Sequence, residues 1–321
     1  MKLLSIVIPT YNRCKYLDFL LSRLHEVSLC YDLQIIVCNN GSTDETNDII
    51  NHWNVLFSDF IIVNHSRNMG YDYNLASGYK KATSEYVWIL GDSYLFDIDS
   101  FHLIIRDLTK HPAALLLCTR KDISYKSQLI NNSNTLLNEL GWVLTNLSGS
   151  IIRTEYINNN VLKRYMNTWF IHFGLLFESL AYVEDLNVYY NSDIIIYRNT
   201  QIHVANDLSK CANWRNTPIT VFGKQWFFTV MSLPNTYSRE SKLKCLKDHA
   251  RYTGIFNIST LAKQLCKGYI KRGDYFDNRL FIPFVMPQQR WKYDLIFLLV
   301  PTLPKSLHSF FRNIKHMLWP K

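Results

Sequence analysis

With 321 residues, 48% of them apolar and 14% aromatic, the chain is long enough to bury a sizeable core in one large domain or one domain plus an appendage. Charged residues are 19% of the total, a balance that excludes an intrinsically disordered chain. The net charge of +9 is unevenly spread: residues 1–204 hold 16 Lys+Arg against 20 Asp+Glu, a net −4, and residues 205–321 hold 19 against 6, a net +13.

Leu3 to Ile8 is a continuous apolar run rich in β-branched residues and closed by Pro9, the pattern of a buried strand. It is too short for a signal peptide. Cys14 to Val27 follows with Leu17, Leu20, Leu21 and Leu24 at helical spacing, and Leu33 to Cys38 reads as a second buried strand. Asn39-Asn40-Gly41-Ser42-Thr43-Asp44 is a turn with helix-capping chemistry. A helix is expected over Thr46–Trp53, a strand over Phe60–Asn64, a helix over Asn74–Ala82 and a strand over Glu85–Leu90. Beyond residue 110 the pattern loosens. Ala113–Thr119 reads as a strand, Trp142–Arg153 is broken at Ser148-Gly149-Ser150, and Val188–Tyr197 is a strand pair or one bent strand. Helices are expected at Lys242–His249 and Thr260–Ile270.

Strands that are apolar on both faces and alternate with helices imply an α/β fold, with a mostly parallel sheet covered on both sides. Ligands of such sheets sit beyond the carboxyl ends of the strands. The polar turns Pro9-Thr10-Tyr11-Asn12, Asn39 to Asp44 and Gly91-Asp92-Ser93 all fall there, so three polar clusters are expected to converge on one crevice. No run approaches the ~20 apolar residues of a membrane-spanning helix. The seven cysteines contain no Cys-x-x-Cys pair, which points to reduced thiols in a cytosolic protein.

Ser5-Ile6-Val7-Ile8-Pro9-Thr10-Tyr11-Asn12-Arg13 resembles the opening of family 2 glycosyltransferases. Val37 to Asp44 resembles their second motif, Asn68-x-Gly70-x-x-x-Asn74-x-x-x-Gly78-x-x-x-Ala82 their third block, and Tyr86 to Asp92 the strand that delivers their Asp-x-Asp motif. The Leu-Gly-Asp variant and the block at 147–153 look closest to O-antigen enzymes of the abequosyltransferase type. The resemblance implies a GT-A nucleotide-diphospho-sugar transferase fold over residues 1–204, with nucleotide-sugar binding in 1–110 and an acceptor half in 111–204. Residues 205–321 form a basic, aromatic, helical region that matches no motif. The implied reaction is direct displacement at the anomeric carbon with inversion. The implied partners are a nucleotide-diphospho-sugar donor and a lipid-linked or oligosaccharide acceptor in bacterial surface polysaccharide synthesis. A non-catalytic nucleotide-sugar binder is the alternative. A nucleic-acid partner is not expected, because the first 200 residues are net acidic and the chain carries no recognised RNA or DNA motif.

By the same resemblance the donor site comprises Pro9, Thr10, Tyr11, Asn39, Asn40, Asn68, Asn74, Asp92 and Ser93. Thr10 and Asn40 would read the base, since an amide offers both a carbonyl and an NH2. Asn39 stands where the family has Asp. Ser93 and Tyr94 stand where carboxylates bind Mg²⁺ or Mn²⁺, and neutral hydroxyls are poor replacements for charged oxygen ligands. No tightly bound cofactor is therefore expected, although Asp92, with His203, could still hold one of these ions. Arg198 falls where many relatives place a metal-binding His and would offset charge on the leaving diphosphate, with Arg13 or Arg153 able to share that role. The family's catalytic Asp falls near His172, whose unperturbed pKa suits a general base. Glu178, Glu184 and Asp185 are fallback bases. Lys305, Arg312, Lys315 and Lys321 interleave with Leu303, Leu307, Phe310, Phe311, Leu318 and Trp319, a pattern suited to peripheral attachment at an anionic membrane on its cytoplasmic face.

Overall fold

The computed structural model describes residues 1–111, 113–120, 125–202, 217–286 and 288–302. It divides into two compact units, residues 1–210 with 233–237 and residues 211–232 with 238–321.

The first unit opens with β1 (Leu4–Thr10), α1 (Cys14–Ser28), β2 (Leu33–Asn39), α2 (Thr46–Asn54), β3 (Phe60–Asn64), α3 (Tyr71–Tyr79) and β4 (Tyr86–Ile89). These follow the expected elements, except that α3 begins three residues before Asn74. Four parallel strands result, in the order β3-β2-β1-β4. Period-2 alternation splits β1 between two layers. Leu4, Ile6 and Ile8 join Leu17, Leu20 and Leu21 of α1 and Ile50 and Trp53 of α2 in one core. Val7 faces the other way, toward α3. All of these residues are buried, which is why the strands read as unbroken apolar runs. Pro9 lies beyond the last β1–β4 pair, Val7 with Ile89, so its missing N–H is tolerated in a central strand.

The second half of the sheet is mixed. It holds β5 (Tyr94–Phe96), α4 (Ile98–Lys110), β6 (Leu115–Arg120), β7 (Gln128–Ile130), α5 (Ser133–Leu140), β8 (Ser150–Arg153), α6 (Asn159–Arg164), α7 (Ile171–Leu180) and β9 (Val188–Arg198). β8 inserts antiparallel between β4 and β6, and β9 runs parallel to β6 with a register shift between Cys118 and Thr119. The segment over 188–197 is thus one long strand carrying an irregularity, and β5 and β7 pair with it antiparallel. Arg153 pairs with Tyr86, the first residue of β4, and its guanidinium binds Glu85 at 2.8 Å. It therefore sits at the end of the sheet opposite Asp92 and cannot share a role there. Asp99 lies in the first turn of α4, and the residue at the cap is Asp97.

The second unit is helical among its described residues. A π-helical turn (Thr220–Gln225) runs into α8 (Trp226–Met231), followed by α9 (Arg239–Thr253), α10 (Ile258–Cys266), α11 (Arg272–Asp277), α12 (Ile282–Val285) and α13 (Arg290–Leu299). Two expected helices, 242–249 and 260–270, lie within or overlap α9 and α10. No helix among the described residues is long and apolar enough to cross a membrane.

Gly78 lets α3 rest directly on the sheet. A Cβ there would lie 2.2 Å from Val7 Cγ1 and 2.9 Å from Cys38 Sγ. Gly78→Ala is expected to destabilise the protein by about 1–3 kcal/mol through overpacking, with Val7→Ala restoring part of the loss. Urea unfolding of the single and double variants measures both effects.

Candidate active site

The three polar clusters meet at the carboxyl edge of the parallel strands. Thr10 Oγ1 donates to Asp92 Oδ2 at 3.0 Å, and Arg13 Nη1 binds Asp92 Oδ1 at 2.8 Å. Asp92 is 5% exposed, so both oxygens of a buried carboxylate are engaged. The amide N–H of Asn40 donates to the Thr10 carbonyl at 3.0 Å, closing the β1 and β2 ends on each other. Ser148, in the loop before β8, supplies its hydroxyl to the Gly91 N–H at 3.0 Å and so holds the turn that carries Asp92.

Asn40 uses both ends of its amide within the protein. Oδ1 accepts from Met69 N at 2.8 Å, and Nδ2 donates to Asn68 Oδ1 at 3.0 Å and to Gly70 O at 3.3 Å. What it does in this structure is hold the 68–70 loop. Asn39 is fully buried and points to the side. Its NH2 donates to Asn47 and Asn64 and its carbonyl accepts from Ser42 N. Asn74 donates to Cys38 O at 3.0 Å and ties α3 to β2. Gly70, at φ 91°, starts α3 in a conformation open only to glycine. Tyr11 is half-buried in the turn that follows β1. Asn12, at φ 52°, accepts from Thr43 N at 2.7 Å. The expected capping residue Asp44 serves two helices, accepting from Thr46 N and from Cys14 N.

On the far side of Asp92 the chain turns into β5, and Ser93 O accepts from Asn199 N at 2.8 Å. The antiparallel β5–β9 pairing sets Arg198 opposite Tyr94, with the guanidinium 5.7 Å from the Tyr94 ring centre and the residue exposed. The structure thus brings Thr10, Asn40, Asp92, Ser93, Arg13 and Arg198 to one edge.

Tyr71, next to Gly70, links this edge to the segment before α7. Its ring stacks on Trp169 at 5.7 Å and meets His172 edge-on at 6.4 Å. His172 is 7% exposed, and burial pushes its pKa down to about 4 against the pull of the Thr145 carbonyl. Nε2 lies 3.2 Å from that carbonyl and so carries the proton. The lone pair then sits on Nδ1, which has no partner among the described residues. Glu178 is tied to Arg164 at 2.6 Å, and Glu184 and Asp185 are exposed in a turn.

Asp72 was invisible to motif reading. Asn167 and Trp169 hold positive φ of 64° and 68°, costly for a non-glycine and most of all for a tryptophan. Asp72 Oδ2 accepts from the strained Trp169 N–H at 2.9 Å. An acid in the first turn of α3, between two tyrosines, was the available signal.

The donor set does not fit a divalent cation. Asp92 is already neutralised by Arg13, Ser93 and Tyr94 offer hydroxyls, and Asp97 accepts from Tyr197 OH at 2.9 Å. Cys14, Asp44 and Glu45 form the one cluster of three metal-capable side chains among the described residues, and Asp92 has no part in it. His203 lies outside the described residues.

A family model, Glycosyl transferase family 2, matches residues 5–181. The chain belongs to this family. It has the GT-A fold of that family. It is 34% identical over 122 residues to abequosyltransferase RfbV of Salmonella typhimurium, which is 37% of this chain and 36% of that protein. It is 35% identical over 91 residues to chondroitin synthase of Escherichia coli, 27% of this chain and 13% of that one. The matched segment thus spans about a third of the first of these relatives and less of the second. Among solved structures, Staphylococcus aureus TarS 1-349 in complex with UDP-GlcNAc superposes with a TM-score of 0.60 at 15% identity, over 97% of this chain and 88% of that one. Mannosyltransferase PcManGT of Pyrobaculum calidifontis, in complex with GDP-Man and Mn²⁺, gives 0.54 at 12% identity, over 95% and 87%. At these identities the likeness is one of fold.

Burial pushes the Asp72 pKa up to about 6, opposed by the backbone N–H groups of the 167–171 turn. The folded state therefore binds the proton more tightly than the unfolded chain. Asp72 contributes stability below about pH 4 that is lost as pH rises through about 6, on the order of 2–3 kcal/mol. Asp72→Asn should remove this slope, and the stability difference between variant and wild type should drift in favour of the variant from pH 4 to 7. Urea melts across that range measure it.

Proposed function

We propose that this glycosyltransferase moves a sugar from a nucleoside-diphosphate donor onto a lipid-linked glycan in bacterial surface polysaccharide synthesis, with inversion and without a tightly held divalent metal. The observation that carries the reading is the charge arrangement at the strand ends. One carboxylate is already paired with Arg13, and a second guanidinium, Arg198, stands on β9 opposite Tyr94, two residues further along the chain than that carboxylate. Residues 1–110 would bind the donor and 111–204 the acceptor. Thr10, Tyr11 and Asn40, with the 68–70 loop that Asn40 holds, would frame the nucleotide. The abequosyltransferase likeness supports a surface-polysaccharide acceptor, and TarS, whose structure holds UDP-GlcNAc, supports a nucleotide-sugar donor.

In the reaction the acceptor hydroxyl oxygen bonds to the anomeric carbon while the bond from that carbon to the phosphate oxygen breaks. The electron pair leaves with the nucleoside diphosphate. His172 Nδ1 would take the hydroxyl proton. Burial keeps the ring neutral, so its lone pair is present throughout the neutral range, and the same shift to about 4 makes it a weaker base than a free imidazole until an acceptor hydroxyl reaches the buried Nδ1. Trp169 and Tyr71 would present a stacked aromatic surface to the acceptor sugar. Arg198, with Arg13, would meet the charge that grows on the leaving diphosphate. A guanidinium gives fixed, permanently charged donors to phosphate oxygens. The basic residues Lys305, Arg312, Lys315 and Lys321 lie outside the described residues. Their sequence pattern supports attachment at the inner face of a membrane, where a lipid-linked acceptor is presented.

His172→Ala should lower turnover by roughly 10²–10⁴-fold. The rise in melting temperature given by the productive nucleoside diphosphate, found by screening UDP, CDP, GDP and dTDP, should survive in that variant. Wild-type turnover in His172→Ala moves the base elsewhere.

Activity should persist in EDTA and fall sharply in Arg198→Ala, with Arg198→Lys restoring only part of it because a point charge lacks the guanidinium fork. Complete loss in EDTA that Mn²⁺ or Mg²⁺ rescues would return a metal to Asp92.

A further inference from the structure

Helix α13 carries apolar side chains on two opposite stripes. Tyr293, Phe297 and, just past the helix, Val300 are spaced four and seven residues apart and are buried within the second unit. Phe297 stacks on Tyr275 at 4.3 Å, and Tyr293 OH donates to Phe256 O at 3.2 Å, so this inner stripe is fully used. Trp291, Leu295 and Leu298 follow the same spacing on the other side. They are 58%, 48% and 43% exposed. A folded unit needs only one apolar stripe per surface helix, and an outward tryptophan with two leucines beside it forms a contiguous apolar patch of the kind that marks a contact surface.

Charge decides which partner. Asp294 is the one acid on α13, and Arg279 binds it bidentately at 3.0 Å through each oxygen, with Arg290 at 3.7 Å. Lys292 places its ammonium 5.7 Å from the Trp291 ring centre. The stripe is therefore bordered by cations with the acid neutralised. A second copy of the chain would bring the same cations face to face. Residues 303–321 contain four Lys or Arg and no acid, so that segment would meet like charge as well. An anionic bilayer answers both features. Tryptophan and leucine bury in the boundary between headgroups and acyl chains, while lysine and arginine reach back to the phosphates.

We propose that the outward stripe of α13 is a membrane-contact surface of this enzyme, lying in the interface of an anionic bilayer. The proposal rests on the reading of the acceptor as lipid-linked and adds to the basic 303–321 segment a folded surface with named residues. α13 lies along the interface rather than crossing it, since its 10 residues are half the length needed to span.

The test is flotation of the full-length protein with vesicles of phosphatidylcholine alone and of phosphatidylcholine doped with phosphatidylglycerol. Wild type should float with the anionic vesicles. The triple variant Trp291→Ser, Leu295→Ser, Leu298→Ser should lose at least tenfold in partitioning, with its melting temperature and its shift with the productive nucleoside diphosphate unchanged. Vesicles of brominated lipid should quench wild-type tryptophan fluorescence, and Trp291→Phe should lose part of that quenching. No flotation of wild type, or equal flotation of wild type and triple variant, overturns the proposal. So does a wild-type dimer in vesicle-free sedimentation that the triple variant abolishes, because the stripe then belongs to a second copy. Failure of the transferase reading shows separately, as the absence of a thermal shift with any of the four nucleoside diphosphates.

Discussion

A single buried carboxylate joins the end of β1, the start of α1 and the turn after β4. Asp92 accepts from Thr10 and pairs with Arg13, and with 5% exposure it has little water to fall back on. A charge in that position is tolerated only with its partners in place, and losing the Arg13 guanidinium leaves it uncompensated, at a cost of at most about 3–5 kcal/mol because Arg13 keeps some contact with water. The strand-end turns are thereby held to one geometry before any ligand arrives. The pairing also gives this carboxylate a cationic partner from within the chain.

Around this hub the edge is built from neutral amides. Asn39, Asn40, Asn68 and Asn74 hold loops through hydrogen bonds to one another and to the backbone, and none adds charge. An amide donates and accepts at once, so a few asparagines satisfy the backbone groups that parallel strands leave open at their ends. The exposed charge left near Asp92 on β9 is that of Arg198.

The segment before α7 is held differently. Trp169 sits at positive φ, an arrangement that persists only when its surroundings impose it. Asp72 receives its N–H and Tyr71 stacks on its ring, so two neighbouring residues of α3 fix the segment that leads into His172. Through Asn40 and Gly70 the same helix start is tied to the strand-end edge. The strand-end edge and the segment before α7 thus share one anchor.

Most of the first ninety residues were legible from sequence. A buried parallel strand is a continuous apolar run and an amphipathic helix repeats at three and four, and both signals are local. The polar turns at the strand ends were legible for the same reason. The insertion of β8 between β4 and β6 was not, since Ser150–Arg153 is four residues long and owes its place to its neighbours. Nor was the use of each site residue. Asn40 looked free to read a base until its amide was seen engaged with Asn68, Met69 and Gly70. Asp92 meets Arg13 across 79 residues and Asp72 meets Trp169 across 97. The sequence by itself determined which residues form the strands, which helices cover them and where the polar turns lie, because those depend on near neighbours. Only the tertiary structure decided which polar groups are spent on one another and which remain for a ligand, because that choice is made between side chains that folding brings together from distant parts of the chain.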